Sequence, residues 1–198
     1  MIHPHTELRF INKSKGRGVF ATKPLPKGTL TYVEDDLEIV IPPGDERLTD
    51  LKYKDLVETY SFIDRNGNRI ISWDHAKYVN HCCQCNTMST GYGFEIAIRD
   101  IAQGEEITDE YSLFNFSSKM HLSCEKSPCR KEISARDPEI YYQVWDEKIK
   151  HALHEYSRVK QPLDVYLRNE IRDNLSEYLK TGKNYISVAE LVYNGKGE

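Results

Sequence analysis

Hydrophobic and polar positions follow a short period in the first part of the chain. Up to about residue 120, runs of β-branched and aromatic residues lie between glycine and proline turns, which is typical of short strands. The predicted strands cover residues 6–10, 29–33, 37–41, 94–98 and 107–108. Between residues 60 and 71, the pair Asn66-Gly67 predicts the tight turn of a hairpin. This part of the chain is therefore predicted to be a small, irregular, mostly β fold.

The last part of the chain has a helical pattern. From about residue 134 the apolar positions recur every three or four residues, as on one face of a helix. Asp137 and Pro138 predict a helix start, with the aspartate as N-cap and the proline in the first helical position. One apolar stripe covers residues 141–156 and a second covers 163–179, after which Gly182 predicts the helix end. We expect these helices to pack on the β region.

The composition disfavours several classes of protein. Of the 198 residues, 39% are hydrophobic and 11% aromatic, which is enough for the core of a globular protein and argues against a disordered chain. No run approaches the roughly 20 apolar residues of a membrane-spanning helix. With 27 basic and 31 acidic residues, the formal net charge of -4 disfavours direct binding to nucleic acid and weakly favours a positively charged partner.

Five cysteines in a chain without a recognisable signal peptide indicate metal binding. The N-terminal sequence MIHPHTELRF lacks the basic and apolar regions of a signal peptide, so we expect an intracellular protein. Three cysteines lie close together at positions 82, 83 and 85, and the others are Cys124 and Cys129. In a reducing compartment, such a cluster predicts a metal site rather than disulfide bonds.

Three segments carry side chains suited to binding and chemistry. Residues 15–20 read KGRGVF, where glycine lets the backbone approach a ligand closely. Residues 78–86 read YVNHCCQCN, in which an amide and an imidazole lie beside three thiols. Residues 104–111 read GEEITDEY and end on a tyrosine. Each segment alone also fits a plainer interpretation: an ordinary turn, a buried polar turn beside a metal, or a packing tyrosine.

Taken in this order, the three segments resemble the SET-domain protein-lysine methyltransferases over residues 8–111. Cys124 and Cys129, followed by Arg130, resemble part of the zinc-binding post-SET segment of that family. The resemblance implies an α+β chain whose mostly β SET core of small sheets contains a pseudoknot. It divides the chain into three parts: a catalytic core (1–119), a post-SET-like cysteine segment (120–134) and a helical C-terminal region (135–198).

The resemblance also implies a site for S-adenosylmethionine and a substrate lysine. Tyr111 matches the catalytic tyrosine, and Tyr32 resembles the tyrosine that orients the substrate amine. The residues implied to contact the cofactor are Lys15, Gly16, Arg17, Gly18, Tyr60, Asn80, His81 and Tyr111. Methyl transfer to an amine is an in-line displacement, so we expect Tyr111 to position the reacting groups rather than to act as a general base.

Asp109 departs from the family pattern, which often has an aromatic residue two positions before the catalytic tyrosine. A carboxylate in the substrate channel would pair with the lysine ammonium group and change its pKa. The alternatives are a position facing solvent or a structural hydrogen bond, and we expect one of these two. The degree of methylation therefore does not follow from the resemblance.

The cysteine pattern of the implied zinc site is incomplete. Cys83, Cys124 and Cys129 match three of the four family ligands, whereas Leu122 stands where the family has the first post-SET cysteine. Structural zinc sites have four Cys or His ligands. We expect Cys85 to be the fourth ligand, because it shares a loop with Cys83. The other candidate ligands are Cys82 and His121, and the remaining alternative is that no zinc binds.

The predicted function is the transfer of a methyl group from S-adenosylmethionine to a lysine side chain of a protein. The expected substrate is a histone or another basic protein, with no direct binding to nucleic acid or membrane. The alternative is a catalytically inactive SET-like binding module that zinc stabilises. Asn80, His81 and Tyr111 favour the enzyme, whereas Asp109 and the missing post-SET cysteine favour the binding module.

Overall fold

Short strands and three helices make up the part of the chain that the structure describes. It is a computed structural model, and it describes residues 1–116, 119–122, 124, 126–193 and 195. The strands are β1 (Thr6–Asn12), β2 (Gly16–Ala21), β3 (Leu30–Val33), β4 (Ile39–Ile41), β5 (Ser61–Ile63), β6 (Arg69–Ile71), β7 (Asn80–His81), β8 (Thr87–Ser89), β9 (Phe94–Ala97), β10 (Glu106–Asp109), β11 (Met120–His121) and β12 (Glu132–Ile133). The helices are α1 (Lys54–Tyr60), α2 (Asp137–Leu153) and α3 (Asn169–Thr181).

The strands form several small sheets. The largest has the order β1-β2-β10-β7, two sheets of three strands have the orders β3-β9-β8 and β4-β6-β5, and β11 pairs with β12. These pairs are antiparallel except β7 with β10, which is parallel. The predicted α+β fold with a core of small sheets is confirmed. The pairing of β7 with β10 places residues 78–86 beside residues 104–111, as the predicted pseudoknot requires.

Most predicted strands are present, and one difference has a local cause. The strands expected from the short-period pattern correspond to β1, β3, β4, β9 and β10, and the Asn66-Gly67 turn joins β5 to β6. Gly67 has a φ of 85°, which glycine adopts without steric strain. The strand expected over residues 37–41 is shortened to β4, because Asp35 accepts a hydrogen bond from the Leu37 amide (2.7 Å) and the chain turns there.

Helix α1 is absent from the sequence-based prediction because its apolar residues do not form one buried face. Of its residues only Val57 is buried, and no side-chain hydrogen bond caps its N-terminus at Tyr53. Leu56 is 55% exposed, and Leu51, just before the helix, is 87% exposed. A helix with so little amphipathic pattern gives a weak sequence signal.

The two longer helices begin and end close to the predicted positions. α2 begins at Asp137, but its N-cap is Arg136, and Asp137 instead accepts a hydrogen bond from the Ser134 hydroxyl (2.9 Å). α3 ends at Gly182, whose φ of 70° lies in the left-handed region. The second apolar stripe starts before α3, since Asp164–Tyr166 forms a short 3-10 turn. No helix in the described ranges is both long enough and apolar enough to cross a membrane.

The helices pack on the β region around a shared hydrophobic core, as predicted. Leu30 and Ile96, from β3 and β9, belong to the same buried cluster as Trp145 and Ile149 from α2. Leu175 from α3 belongs to it as well. This core joins the predicted catalytic region to the predicted helical region. The division of the chain into three parts stays a prediction.

A second, smaller core lies under the largest sheet. It contains Val19 and Ala21 from β2, Ile107 from β10, and Val79, which immediately precedes β7. Burial of these side chains is the main force that holds the strands together. The packing therefore fixes the three motif-bearing segments of the sequence relative to one another.

Candidate active site

Asn80 joins the three segments through its side chain. From β7, its amide nitrogen donates hydrogen bonds to the backbone oxygen of Arg17 (3.0 Å) and to Oε1 of Glu106 (2.8 Å). Gly18 lies beside it in β2, and a Cβ atom there would come within 2.7 Å of Glu106 Oε1 and 3.0 Å of the Asn80 amide nitrogen. Glycine is therefore required at this position by a close approach of side chains.

The other residues of the first segment form the turn into β2. The Lys15 amide donates a hydrogen bond to Oδ1 of Asn12 (2.8 Å), and Gly16 has a φ of 70°. Arg17 lies opposite Phe10 in the pairing of β1 with β2. The predicted cofactor loop is thus next to Asn80 and reaches it through a backbone oxygen. Contact of Lys15, Gly16 and Arg17 with a cofactor stays a prediction.

His81 and Tyr111 lie together where β7 and β10 end. The Tyr111 amide donates a hydrogen bond to Nδ1 of His81 (3.2 Å), and the two ring centroids are 5.5 Å apart. Burial lowers the pKa of His81, and the opposing effect of the Glu110 carboxylate is smaller. The imidazole is therefore neutral near pH 7. Since its Nδ1 accepts a hydrogen bond, its proton is assigned to Nε2.

The hydroxyl group of Tyr111 is a fixed hydrogen-bond donor. It donates to the backbone oxygen of Val79 (2.5 Å). Burial raises the pKa of Tyr111, and the nearby carboxyl groups of Asp109 and Glu95 raise it further. The phenol therefore keeps its proton at neutral pH, which fits positioning of the reacting groups and does not fit general-base catalysis.

Two cavities lie beside this site. The smaller, of about 160 Å³, is lined by three of the predicted site residues, Tyr32, Tyr60 and Tyr111. The larger, of about 330 Å³, is lined in part by residues of α3. The residues that line both cavities are Tyr32, Phe62, Ile63, Glu95 and Phe114. The remaining predicted cofactor residues line neither cavity, and of these Asn80 and His81 directly follow Val79, which lines the smaller one.

Tyr32 contributes its ring to both cavities, and its hydroxyl group is already hydrogen-bonded. That hydroxyl donates to Oε1 of Glu38 (2.8 Å) and accepts from the Ser72 hydroxyl (3.2 Å). Burial raises the pKa of Tyr32, so it stays protonated. The predicted orientation of a substrate amine by Tyr32 stays a prediction.

Three cysteine sulfur atoms converge beside His81, whose Nε2 is 3.5 Å from the sulfur of Cys83. The sulfur atoms of Cys83, Cys124 and Cys129 lie within 4.8 Å of one another, and the distance between Cys83 and Cys129 is 3.6 Å. The Cys82 sulfur is 3.9 Å from that of Cys124. Zinc–sulfur bonds of about 2.3 Å in a tetrahedron place the sulfur atoms about 3.8 Å apart. The donor set and its spacing therefore fit zinc.

Cys85 lies outside the group of converging thiols, which corrects the expectation that it is the fourth ligand. It is buried in the hydrophobic core with Leu30 and Met88. The chain turns at residues 83–84, so the thiols on either side of the turn point to different parts of the molecule. The His121 side chain, another candidate, is 87% exposed and lies beside Glu132 (3.7 Å). Cys82 is the remaining candidate near the group.

Arg130 ties the cysteine segment to the site, a role that the sequence analysis missed. Its guanidinium group donates to both carboxylate oxygens of Glu110 (2.7 Å each) and to Asp137 of α2 (2.9 Å). Its backbone amide donates to the sulfur of Cys83 (3.4 Å). Glu110 in turn lies 3.8 Å from Nδ1 of His81. A single cation therefore connects the cysteine segment, α2 and the predicted cofactor-binding histidine.

Asp109 is fully buried and makes structural hydrogen bonds, so of the two expected alternatives the position facing solvent is wrong. It accepts hydrogen bonds from the Ser89 hydroxyl (3.2 Å) and the Glu110 amide (2.7 Å). Its carboxyl group also contacts that of Glu95 on β9, and burial raises the pKa of Asp109 to about 6. Glu95 was missed from the sequence, where the only signal is one charge within the apolar strand FEIAI.

Comparison with known proteins identifies the domain that holds this site. Residues 16–112 match the family model described as SET domain, a span that includes Asn80, His81 and Tyr111. The chain contains a SET domain. The histone-lysine N-methyltransferase trithorax of Drosophila melanogaster is 30% identical over 131 residues, which is 60% of this chain and 3% of the relative. The putative histone-lysine N-methyltransferase ASHH4 of Arabidopsis thaliana is 27% identical over 149 residues, which is 68% of this chain and 41% of the relative.

The SET-domain chain thus spans less than half the length of these curated relatives. Among solved structures, the crystal structure of KRYPTONITE in complex with mCHG DNA and SAH overlaps with a TM-score of 0.45 at 18% identity. That overlap covers 65% of this chain and 29% of the other.

Proposed function

We propose that the chain is an S-adenosylmethionine-dependent methyltransferase that modifies a lysine side chain of a protein. The observation that carries this proposal is the assembly of Asn80, His81 and Tyr111 next to a cavity lined by tyrosines. Two relatives of the SET domain are named as histone-lysine methyltransferases. An intact site of this kind favours the enzyme over a SET-like binding module that no longer catalyses.

The proposed cofactor site is built from backbone and neutral side chains. S-adenosylmethionine, when bound, supplies a methyl group on a positively charged sulfur atom. Residues 15–18, where the chain enters β2, would hold it through backbone groups, with Asn80 and His81 on β7 of the same sheet. Because burial keeps His81 neutral, its imidazole does not repel a cation. Tyr60 and Tyr111 would face the same molecule from the smaller cavity.

The proposed substrate is a lysine of a basic protein, such as a histone. The walls shared by the two cavities carry the aromatic rings of Tyr32, Phe62 and Phe114. Such rings suit both the aliphatic stem of lysine and its cationic end. The formal net charge of -4 favours a positively charged partner. The five free cysteines fit an intracellular location, which we include in the proposal.

Catalysis in this proposal depends on alignment and on a neutral amine. Free lysine has a pKa of about 10.4, and burial beside a positive charge lowers it. Tyr111, fixed by its hydrogen bond to Val79, would hold the amine and the methyl group in line. Alignment of reacting groups is worth effective molarities of about 10⁵ M or more.

We also propose a structural zinc ion held by four thiolates. Cys83, Cys124 and Cys129 supply three of them, and Cys82 supplies the fourth. Cys82 would replace the post-SET cysteine whose position Leu122 occupies. Backbone amides donate hydrogen bonds to the sulfur atoms of Cys82, Cys83 and Cys129, which stabilises thiolates. Zinc would fasten the cysteine segment beside His81.

Two measurements on the wild-type chain separate the enzyme from the binding module. Isothermal titration calorimetry measures the binding of S-adenosylmethionine, and methyl transfer to core histones is followed by mass spectrometry. The enzyme is expected to bind the cofactor and to add methyl groups to lysine residues. Histone binding without cofactor binding would support the module instead, and no detectable binding of S-adenosylmethionine would refute the methyltransferase.

A further inference from the structure

Glu95 is the only charged residue on the wall shared by the two cavities, among the residues that the structure describes. It lies on β9, directly opposite Tyr32 of β3. The other residues of the shared wall are aromatic or aliphatic. Tyr111 lines the smaller cavity with it. Glu95 therefore borders the space where the proposed lysine and the catalytic tyrosine meet.

The hydrogen bonds around Glu95 leave its carboxyl group without a donor. Its neighbour Asp109 accepts hydrogen bonds from the Ser89 hydroxyl and the Glu110 amide. Over the described ranges, no N–H group and no hydroxyl group donates a hydrogen bond to the Glu95 side chain, whose one hydrogen-bond partner is the Asp109 carboxyl group. Burying a carboxyl group in such a wall costs folding free energy unless a ligand supplies hydrogen-bond donors. The ammonium group of a substrate lysine supplies three.

The surroundings of Glu95 also make it share one proton with Asp109. Burial raises the pKa of Glu95 well above its usual range, and the Asp109 carboxyl group raises it further. The other titratable groups that face it are the phenols of Tyr32 and Tyr111 and the N-terminal amine of Met1, which acts in the opposite direction. Because two carboxyl groups in contact do not both ionise, Glu95 holds the shared proton near neutral pH, and Asp109, with a pKa of about 6, is the ionised partner.

We propose that Glu95 is a catalytic residue that receives the substrate ammonium group and takes up its proton. The proposal rests on the methyltransferase function proposed above. Nζ of the lysine gives one proton to Glu95, and the proton that Glu95 shares with Asp109 passes to the Asp109 carboxylate, which leaves a neutral amine and two neutral carboxyl groups. The amine lone pair then forms the N–C bond while the C–S bond of S-adenosylmethionine breaks, and the sulfur keeps that electron pair. The product leaves as a methylammonium ion, and the pair of Glu95 and Asp109 returns one proton to water.

The test is the pH dependence of kcat in the variant Glu95→Gln. Rates are measured from about pH 6 to about pH 10 with saturating S-adenosylmethionine and core histones. Loss of a general base is expected to lower kcat by about 100-fold at pH 7. The loss should shrink to about threefold near pH 10, where lysine gives up its proton to water. A merely structural defect would lower kcat by the same factor at every pH.

Glu105→Gln is the matched control. The Glu105 side chain is 30% exposed, pairs with Arg99 (2.6 Å) and lines neither cavity, so the variant makes the same change of charge elsewhere on the molecule. Its kcat should stay within about twofold of wild type at every pH. A substrate whose lysine is replaced by S-aminoethylcysteine has a more acidic amine. This substrate should raise the kcat of Glu95→Gln by a larger factor than it raises the kcat of the wild type.

The outcomes distinguish this proposal from the function on which it rests. A wild-type chain that transfers no methyl group refutes the methyltransferase itself. Normal wild-type transfer with a loss in Glu95→Gln that is constant over pH, or with no loss, overturns only the role of Glu95. If Glu95→Gln does not fold, the pH dependence of kcat in the wild type alone tests the proposal. Its kcat should level off by about pH 8, and a tenfold rise per pH unit up to about pH 10 would overturn the proposal.

Discussion

At the scale of single residues, the contact between Gly18 and Asn80 holds the proposed cofactor site together. Asn80 reaches Arg17 and Glu106 only because position 18 has no side chain. The local sequence shows glycines at positions 16 and 18 but not why they are needed. Gly16 has open space around it and a positive φ, whereas Gly18 lies in a crowded contact. Sequence spacing does not distinguish these two requirements.

Gly18→Ala is expected to weaken the binding of S-adenosylmethionine by about tenfold or more. The added Cβ would press on Glu106 Oε1 at 2.7 Å and on the Asn80 amide nitrogen at 3.0 Å, and would displace both. Isothermal titration calorimetry measures the affinity. Gly104→Ala is the control, because Gly104 has a φ of 81° and open space, so only stability should fall. Equal affinities in both variants would show that Gly18 has no such role.

Asp109→Asn is expected to stabilise the fold more at alkaline pH than at acid pH. Burial raises the pKa of Asp109 to about 6 from its usual value of 3.8, so the folded chain binds a proton more tightly than the unfolded chain. The wild type therefore loses stability as the pH rises from about 4 through about 6, and asparagine removes this loss. The gain in unfolding free energy should be larger at pH 8 than at pH 4 by about 2 to 3 kcal/mol. Urea denaturation at both pH values measures it, and a gain independent of pH contradicts the burial argument.

At the scale of elements, one guanidinium group connects three parts of the fold. Arg130 follows the last cysteine and pairs with Glu110, which follows β10, and with Asp137 at the start of α2. The sequence places Arg130 beside a cysteine and Asp137 at a helix start, and both positions follow from local patterns. Their meeting with Glu110 depends on how separate elements pack, so no local pattern predicts it.

Arg130→Met is expected to destabilise the fold by about 3 to 5 kcal/mol, because it leaves two buried carboxylates without their cation. Glu110 and Asp137 are 3% and 8% exposed. Arg136→Met removes an ion pair with Glu139 whose arginine is 82% exposed, and it should change stability by less than about 0.5 kcal/mol. Urea denaturation compares the two variants. Similar effects of both would mean that the Arg130 network contributes little.

Spacing in the sequence does not predict which cysteines lie together at the proposed zinc site. Cys83 and Cys85 are two residues apart, yet the chain turns between them, and Cys85 lies buried in the hydrophobic core. Cys82→Ser is expected to weaken zinc binding in competition with a chelator, whereas Cys85→Ser should keep about one zinc per folded chain and lose stability. Metal analysis of the purified variants measures both. Zinc lost from Cys85→Ser and retained by Cys82→Ser would reverse the assignment.

At the scale of the whole molecule, the helical region and the SET domain share a hydrophobic core. Trp145 and Ile149 of α2 pack with Ile96 of β9, the strand that carries Glu95. The alternation of apolar residues predicts β9, and the helical stripe predicts α2, because each pattern reflects one buried face. Which faces meet is set by long-range packing, and so the charge of Glu95 at the shared cavity wall was not predicted. Helices α2 and α3 therefore support the wall on which the proposed chemistry depends.

The most direct test of the methyltransferase proposal is the transfer of labelled methyl groups to histone lysines by the wild type and by Tyr111→Phe. Tyr185→Phe is the control, since it also removes a hydroxyl hydrogen bond, to Asp146 (2.8 Å), but lines neither cavity. Wild type and Tyr185→Phe should transfer methyl groups at similar rates, and Tyr111→Phe should be slower by about 100-fold with its affinity for S-adenosylmethionine largely kept. Transfer by Tyr111→Phe as fast as by wild type, or no transfer by wild type, would contradict the proposed active site.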